Sequence, residues 1–166
     1  MTISGFSKTY SATGWRVGYV IAPKKLTGAV RKVHDFLTVC APTPLQEACI
    51  AALKLPLSYY RDLRTLYAKS RKLLLETLEN ASFTCTVPEG AYYVWTDIRR
   101  TGFKDDRKLA EYLIKKIGVG AVPGSSFYHL ASKGRLKLRF SFSKMPHTIE
   151  MAASRLGKFE RARHRN

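Results

Sequence analysis

Acidic side chains are scarce: 12 Asp and Glu stand against 29 Lys and Arg in 166 residues, a formal charge of +17. That balance raises a polyanion as a partner, because clustered Lys and Arg release counterions from a phosphate backbone. The distribution argues against specific nucleic-acid binding. Basic residues are spread over helix faces, and the densest run, Arg155 to Arg165, is interrupted by Leu156, Phe159, Glu160 and Ala162. Zinc-finger, homeodomain and RNA-recognition spacings are missing. Cysteine is also sparse: Cys40, Cys49 and Cys85 are odd in number and far apart, which excludes a disulfide framework and a zinc site and points to a reducing, intracellular setting. His34, His129, His147 and His164 pair with no cysteine or carboxylate at ligand spacing, so no metal is expected. No apolar run approaches the roughly 20 residues that span a bilayer. A cytoplasmic chain without a membrane partner is therefore expected, and the first motif begins so close to Met1 that no leader is expected either.

What is present suits a globular α/β fold. With 45% hydrophobic and 11% aromatic residues the chain can bury a core. Residues Met1 to Ser4 read as the end of a strand and Trp15 to Ala22 as a second strand, which places Lys8 on the loop between them. Leu26, Ala29, Val30, Val33 and Leu37 then recur at helical spacing. Thr43-Pro44-Leu45-Gln46 reads as a helix start with Thr43 as N-cap and Gln46 completing a capping box, the helix running to about Leu55 before Pro56. A third helix is predicted over 58–80, with Leu63, Leu66, Tyr67, Ser70, Leu74 and Leu78 on its apolar stripe. Strands over Phe83–Val87 and Ala91–Ile98 flank the turn Pro88-Glu89-Gly90. Asp105 and Asp106 open an amphipathic helix carrying Leu109, Tyr112 and Leu113. Val119–Val122 reads as a brief strand stopped by Pro123, Arg135–Phe142 as another strand, and Pro146 begins the last helix. Strands and helices alternate in two portions that meet near residue 70.

The chemistry gathers in two places. The opening stretch, Ser4-Gly5-Phe6-Ser7-Lys8-Thr9-Tyr10-Ser11-Ala12-Thr13-Gly14-Trp15-Arg16-Val17-Gly18-Tyr19, resembles position for position the cofactor-lysine signature of the class I aminotransferases, the pyridoxal-phosphate enzymes of the aspartate aminotransferase family. Farther on, Leu138-Arg139-Phe140-Ser141-Phe142-Ser143-Lys144 resembles that family's C-terminal arginine motif. Pro88-Glu89-Gly90-Ala91-Tyr92-Tyr93 and Val122-Pro123-Gly124-Ser125-Ser126-Phe127-Tyr128 are similar to family segments as well.

The resemblance implies a role for each residue. Lys8 is the amine that joins the aldehyde of pyridoxal 5'-phosphate and afterwards shuttles the substrate's α-proton. Arg16 holds the phosphate through paired charge-assisted bonds, with Ser7 adding a hydroxyl and Gly5 a backbone N–H. Arg139 grips the α-carboxylate of the substrate, a planar anion suited to a guanidinium fork. Tyr10, Tyr92 and Tyr128 could line the active site, but aromatics at such positions are more often packing residues. The implied fold is the C-terminal part of a fold-type I enzyme: residues 1–70 as the remnant of the large cofactor domain and 71–166 as the small domain. The implied reaction is exchange of an amino group between an L-amino acid and a 2-oxo acid, in a homodimer when full-length. The family's partner for the pyridine nitrogen, its ring-stacking aromatic and its glycine-rich phosphate segment lie upstream of the lysine, so a missing N-terminal half is expected as a partner and the chain alone is expected to be inactive. A β-lyase of the same fold and a non-catalytic basic module are the alternatives.

Overall fold

A short hairpin opens the chain. β1 (Thr2–Gly5) and β2 (Gly18–Ile21) pair antiparallel with Gly5 opposite Gly18. A side chain is excluded at position 18, where a Cβ would lie 2.8 Å from the carbonyl oxygen of Ser4. The structure, a computed structural model, describes residues 1–163. His164 and the end of the basic run at Arg165 lie outside the described residues. The second strand is shorter than the sequence predicts. Thr13–Trp15 forms a 3-10 turn, and Arg16 at φ 54° leaves the extended region before β2 begins.

Two helices follow, α1 (Lys24–Thr38) and α2 (Thr43–Leu53). Helical periodicity of α1 is as predicted, but none of its residues is buried. At α2 the predicted cap is corrected: Pro42 occupies the N-cap, Thr43 is already helical, and no side chain caps the helix. Gln46 donates instead to the Ala41 carbonyl at 2.7 Å, and the N-cap Pro42 has no N–H with which it could close a capping box. The long helix α3 (Leu57–Asn80) carries the predicted stripe, with Ser70, Leu74 and Leu78 buried, whereas Leu66 is exposed.

The chain divides into two compact units, one spanning Met1–Leu63 and the other beginning at Arg64. In the first, Phe6, Val17 and Cys49 form a small core with Tyr10, Ala41, Leu45 and Ala52 packed against it. The second is built on a sheet of four antiparallel strands in the order β3 (Thr84–Thr86), β4 (Tyr93–Asp97), β6 (Lys137–Ser141) and β5 (Val122–Pro123). The predicted strand over Val119–Val122 is thus confined to Val122–Pro123, and Pro123 belongs to it. Proline is tolerated because β5 is an edge strand. Along β4 and β6 buried residues alternate with half-buried ones, so Val94, Thr96, Leu138 and Phe140 point to the core while Arg139 points the other way.

α4 (Asp106–Tyr112) begins at the N-cap Asp105, whose carboxylate accepts the backbone N–H groups of Arg107 and Lys108. It continues through one wider turn, Leu113–Ile117. α5 (Pro146–Arg163) contributes Ile149, Leu156 and Phe159 to the core. Among the described residues, no helix is long and apolar enough to cross a membrane, and no group of three His, Cys, Asp or Glu could hold a metal ion.

Candidate functional site

Lys8 lies on the loop between β1 and β2, and the loop is held from several sides. The Phe6 N–H donates to the Val17 carbonyl at 3.2 Å, which extends the hairpin by one bond, and the Tyr10 N–H turns back to the Phe6 carbonyl at 3.1 Å. From α3, the Tyr59 hydroxyl donates to the Thr9 carbonyl at 2.6 Å, one residue beyond Lys8. Phe6 itself is buried, so the lysine turn is anchored in the small core by its own neighbour.

Thr13 organises the polar side of this loop. Lys8 Nζ donates to Thr13 Oγ1 at 3.3 Å, that hydroxyl donates to the Ser7 carbonyl at 3.0 Å, and Arg16 Nη1 donates to the Thr13 carbonyl at 2.9 Å. One residue therefore ties an amine and a guanidinium to a single turn. Arg16 is exposed and in the left-handed backbone region, where a non-glycine residue is strained and such strain concentrates at functional sites. Among the described residues, four of the five guanidinium N–H donors remain for an anion. Ser7 adjoins Lys8 and is half-buried. Gly5 is not required sterically, since a Cβ there would make only an ordinary 3.6 Å contact with the Val17 carbonyl.

An aromatic cluster backs the turn. Tyr10 and Tyr59 stack with centroids 5.9 Å apart and planes 7° from parallel, and the hydroxyls of Tyr10 and Tyr60 share a hydrogen bond of 2.7 Å. Burial, followed by the Tyr60 hydroxyl, pushes the Tyr10 phenol up from 10.0 to about 12. The folded state thus holds a proton that the unfolded chain releases, and the stabilisation is complete below pH 10 and lost as pH rises toward 12. Tyr10→Phe is expected to flatten that decline, measured as the difference between wild type and variant in urea melts from pH 9 to 12.

Arg139 is placed on β6, between Trp95 of β4 and Val122 of β5. Its guanidinium carbon lies 4.0 Å from the ring centroid of Tyr93 on one side and 4.4 Å from that of Phe127 on the other. Two rings this close restrict the directions from which the guanidinium can be reached by a hydrogen-bond acceptor. Nε is buried, and among the described residues it has no hydrogen-bond partner. An unmet buried donor on a clamped guanidinium suits an anion with two oxygens in one plane.

Several of these residues escape a reading of the sequence. Thr13 stands inside the recognised signature and could have been found by asking which oxygen lies between Lys8 and Arg16. Tyr59 and Tyr60 are marked only by being adjacent tyrosines at a helix start. Tyr10 and Tyr92 pack as expected, Tyr10 against Phe6 at 5.4 Å and Tyr92 against Tyr93 at 4.6 Å, while the Tyr128 hydroxyl accepts from Lys137 Nζ at 3.1 Å.

The model for the family "Aminotransferase class I and II" matches residues 1–156. The kynurenine–oxoglutarate transaminase of Dictyostelium discoideum is 31% identical over 97% of this chain and 42% of its own length. The methionine aminotransferase of Escherichia coli is 33% identical over 94% of this chain and 40% of its own length. Among solved structures, the N-succinyldiaminopimelate aminotransferase of Mycobacterium tuberculosis superposes with a TM-score of 0.88 at 30% identity, over 95% of this chain and 41% of that one. The chain spans about two fifths of the length of the curated relatives it matches.

Proposed function

This chain belongs to the class I and II aminotransferase family, and we propose that it supplies the cofactor lysine, a phosphate-binding arginine and the substrate-carboxylate arginine of a pyridoxal-phosphate-dependent aminotransferase. The observation that carries this reading is the double tie to Thr13, which brings Lys8 and Arg16 to one turn. An aldehyde and a phosphate on one small ring need just such a pair, a primary amine beside a guanidinium. When bound, pyridoxal phosphate supplies an electron sink for the bond-breaking at the substrate's α-carbon. The remaining tasks fall to the protein.

Lys8 Nζ holds the cofactor and, once released, carries a proton to and from the α-carbon. Thr13 orients that amine by accepting from it. Arg16 binds the phosphate, with the Ser7 hydroxyl and the Gly5 backbone beside it. Arg139 orients the amino acid and the 2-oxo acid through their shared carboxylate, which is why one site serves both halves of the exchange. In this reading residues 1–70 are the C-terminal remnant of the large cofactor domain and 71–166 the small domain.

We further propose that a second polypeptide segment, equivalent to the part of the relatives this chain does not match, completes the enzyme, and that the finished unit is a dimer. The apolar surface of the first unit supports this: Phe36 is 93% exposed, Leu37 74%, Ile3 69% and Ile21 64%. Exposed apolar side chains of this kind, on a helix and on both strands of a two-stranded sheet, mark surfaces that associate with another segment.

Arg16→Ala is expected to weaken pyridoxal phosphate binding by about 10- to 100-fold, the worth of a hydrogen bond to a charged group. Affinity for pyridoxal, which lacks the phosphate, should change less than about twofold on the same scale. Absorbance titrations of both aldehydes against wild type and variant measure the two effects. Equal losses for both would remove Arg16 from the phosphate.

A further inference from the structure

Arg139 is set between two rings, and one of them is delivered by a loop. Phe127 closes the 3-10 turn Gly124–Phe127, which follows the edge strand β5. Such a turn has little sheet bonding to fix it, and Phe127 is 44% exposed, so packing holds the ring only in part. Trp95 meets its edge at 5.3 Å. The turn must therefore be held at its other end.

Asp106 provides that hold. It is the first residue of α4, only 2% exposed, and its Oδ2 accepts the backbone N–H of Ser125 at 2.7 Å. Its own N–H donates to the Arg135 carbonyl at 2.9 Å, so the residue spans from the segment leading into β6 to the turn. A second feature acts at the same point. A Cβ on Gly134 would lie 2.3 Å from the carbonyl carbon of Gly124, so the two backbones are in direct contact. The turn is pressed against one neighbour and bonded to two others, since Arg107 Nε also donates to Ser125 Oγ at 3.4 Å. The bond to Asp106 is the shorter and the more buried of the two, 2.7 against 3.4 Å.

We propose that Asp106 is a positioning residue: through the Ser125 N–H it sets the turn that places Phe127 against Arg139, and so orients the guanidinium for a carboxylate. The inference rests on the reading of Arg139 as the carboxylate site, and it assigns Asp106 no contact with substrate. Removing the acceptor frees the turn, and the Phe127 ring leaves one face of the guanidinium. The arginine then samples other rotamers, and binding falls because a fixed geometry has been lost. Asparagine at 106 keeps an oxygen at the same place and preserves the clamp.

The Nε–Hε cross-peak of Arg139 in a nitrogen-15 correlation spectrum of the chain is the readout, identified by its loss in Arg139→Lys. The Tyr93 and Phe127 rings beside the guanidinium shift it away from the exposed arginines. Acetate, titrated at constant ionic strength, is the probe. In wild type the peak moves saturably. Asp106→Ala is expected to bring it toward the exposed arginines and weaken acetate roughly fivefold, the scale of one lost ring contact, while Asp106→Asn restores both. If alanine unfolds the chain, Asp106→Ser, whose hydroxyl falls short of the Ser125 N–H, takes its place with the same expectation. An unchanged peak and unchanged affinity in the folded variant, with wild type binding acetate, would overturn the positioning role and leave the carboxylate site standing. A wild-type peak that ignores acetate would overturn the carboxylate site, and the ring-induced shift in Asp106→Ala would still decide whether Asp106 sets the clamp.

Discussion

Replacing Lys8 by alanine is expected to lower amino-group transfer by at least about 10³-fold, the range for removing a group that moves a proton in the reaction. The assay pairs this chain with the unmatched portion of the Escherichia coli methionine aminotransferase, and the chain alone, for which we propose no turnover, serves as the blank. The loss should come without a loss of stability. Lys8 sits on a turn that is anchored by Phe6, by the Tyr10 N–H and by the Tyr59 hydroxyl, and none of these contacts uses the lysine side chain. Thermal melts that coincide for variant and wild type, beside a rate at the blank, are the predicted pair of results. Retained turnover would move the chemistry to another residue.

Phe83→Ala is expected to destabilise the unit that begins at Arg64 by about 3–5 kcal/mol, the cost of emptying a buried phenylalanine site. The side chain is fully buried, and its ring meets Phe140 at 5.5 Å and Phe159 at 6.0 Å. The cavity would sit beside β6, whose Phe140 immediately follows Arg139. The chain's two tryptophans report on the units separately, Trp15 on the first and Trp95 on the second. With Trp15→Phe or Trp95→Phe as background, Phe83→Ala should lower the urea midpoint seen by Trp95 and leave that seen by Trp15 nearly unchanged. Equal shifts at both would mean that the two units unfold as one.

Much of the architecture was legible because it depends on local rules. Helical spacing of Leu74 and Leu78 marks the buried face of α3, and Asp105 before an apolar run marks the start of α4. Legibility ended where a contact between distant residues decides the outcome. Thr43 has the right chemistry for a cap, yet Gln46 reaches back to Ala41 and the helix begins one residue early. Valine-rich residues 119–122 suggest a strand, but pairing with β6 extends only to Val122 and Pro123.

The site divides along the same line. Lys8, Ser7, Arg16 and Arg139 could be proposed because each stands in a motif of fixed spacing. Tyr59, Phe127 and Asp106 could not, because their roles come from hydrogen bonds and ring contacts formed only after folding. Strain at Arg16 is of that kind too, since no residue type other than glycine announces a positive φ. The periodicity of α1 misled in another way: it defines a helix face but does not say whether this chain covers it.

Lys8, among the many lysines of a strongly basic chain, is the one we propose to hold the cofactor. Incubation with pyridoxal phosphate at a concentration equal to that of the protein, borohydride reduction and peptide mapping test it directly. A pyridoxyl group concentrated on the peptide that contains Lys8 is expected, as is its disappearance from that peptide when Arg16 is replaced by alanine. Label spread evenly over the surface lysines, with Lys8 no more modified than the rest, would contradict it.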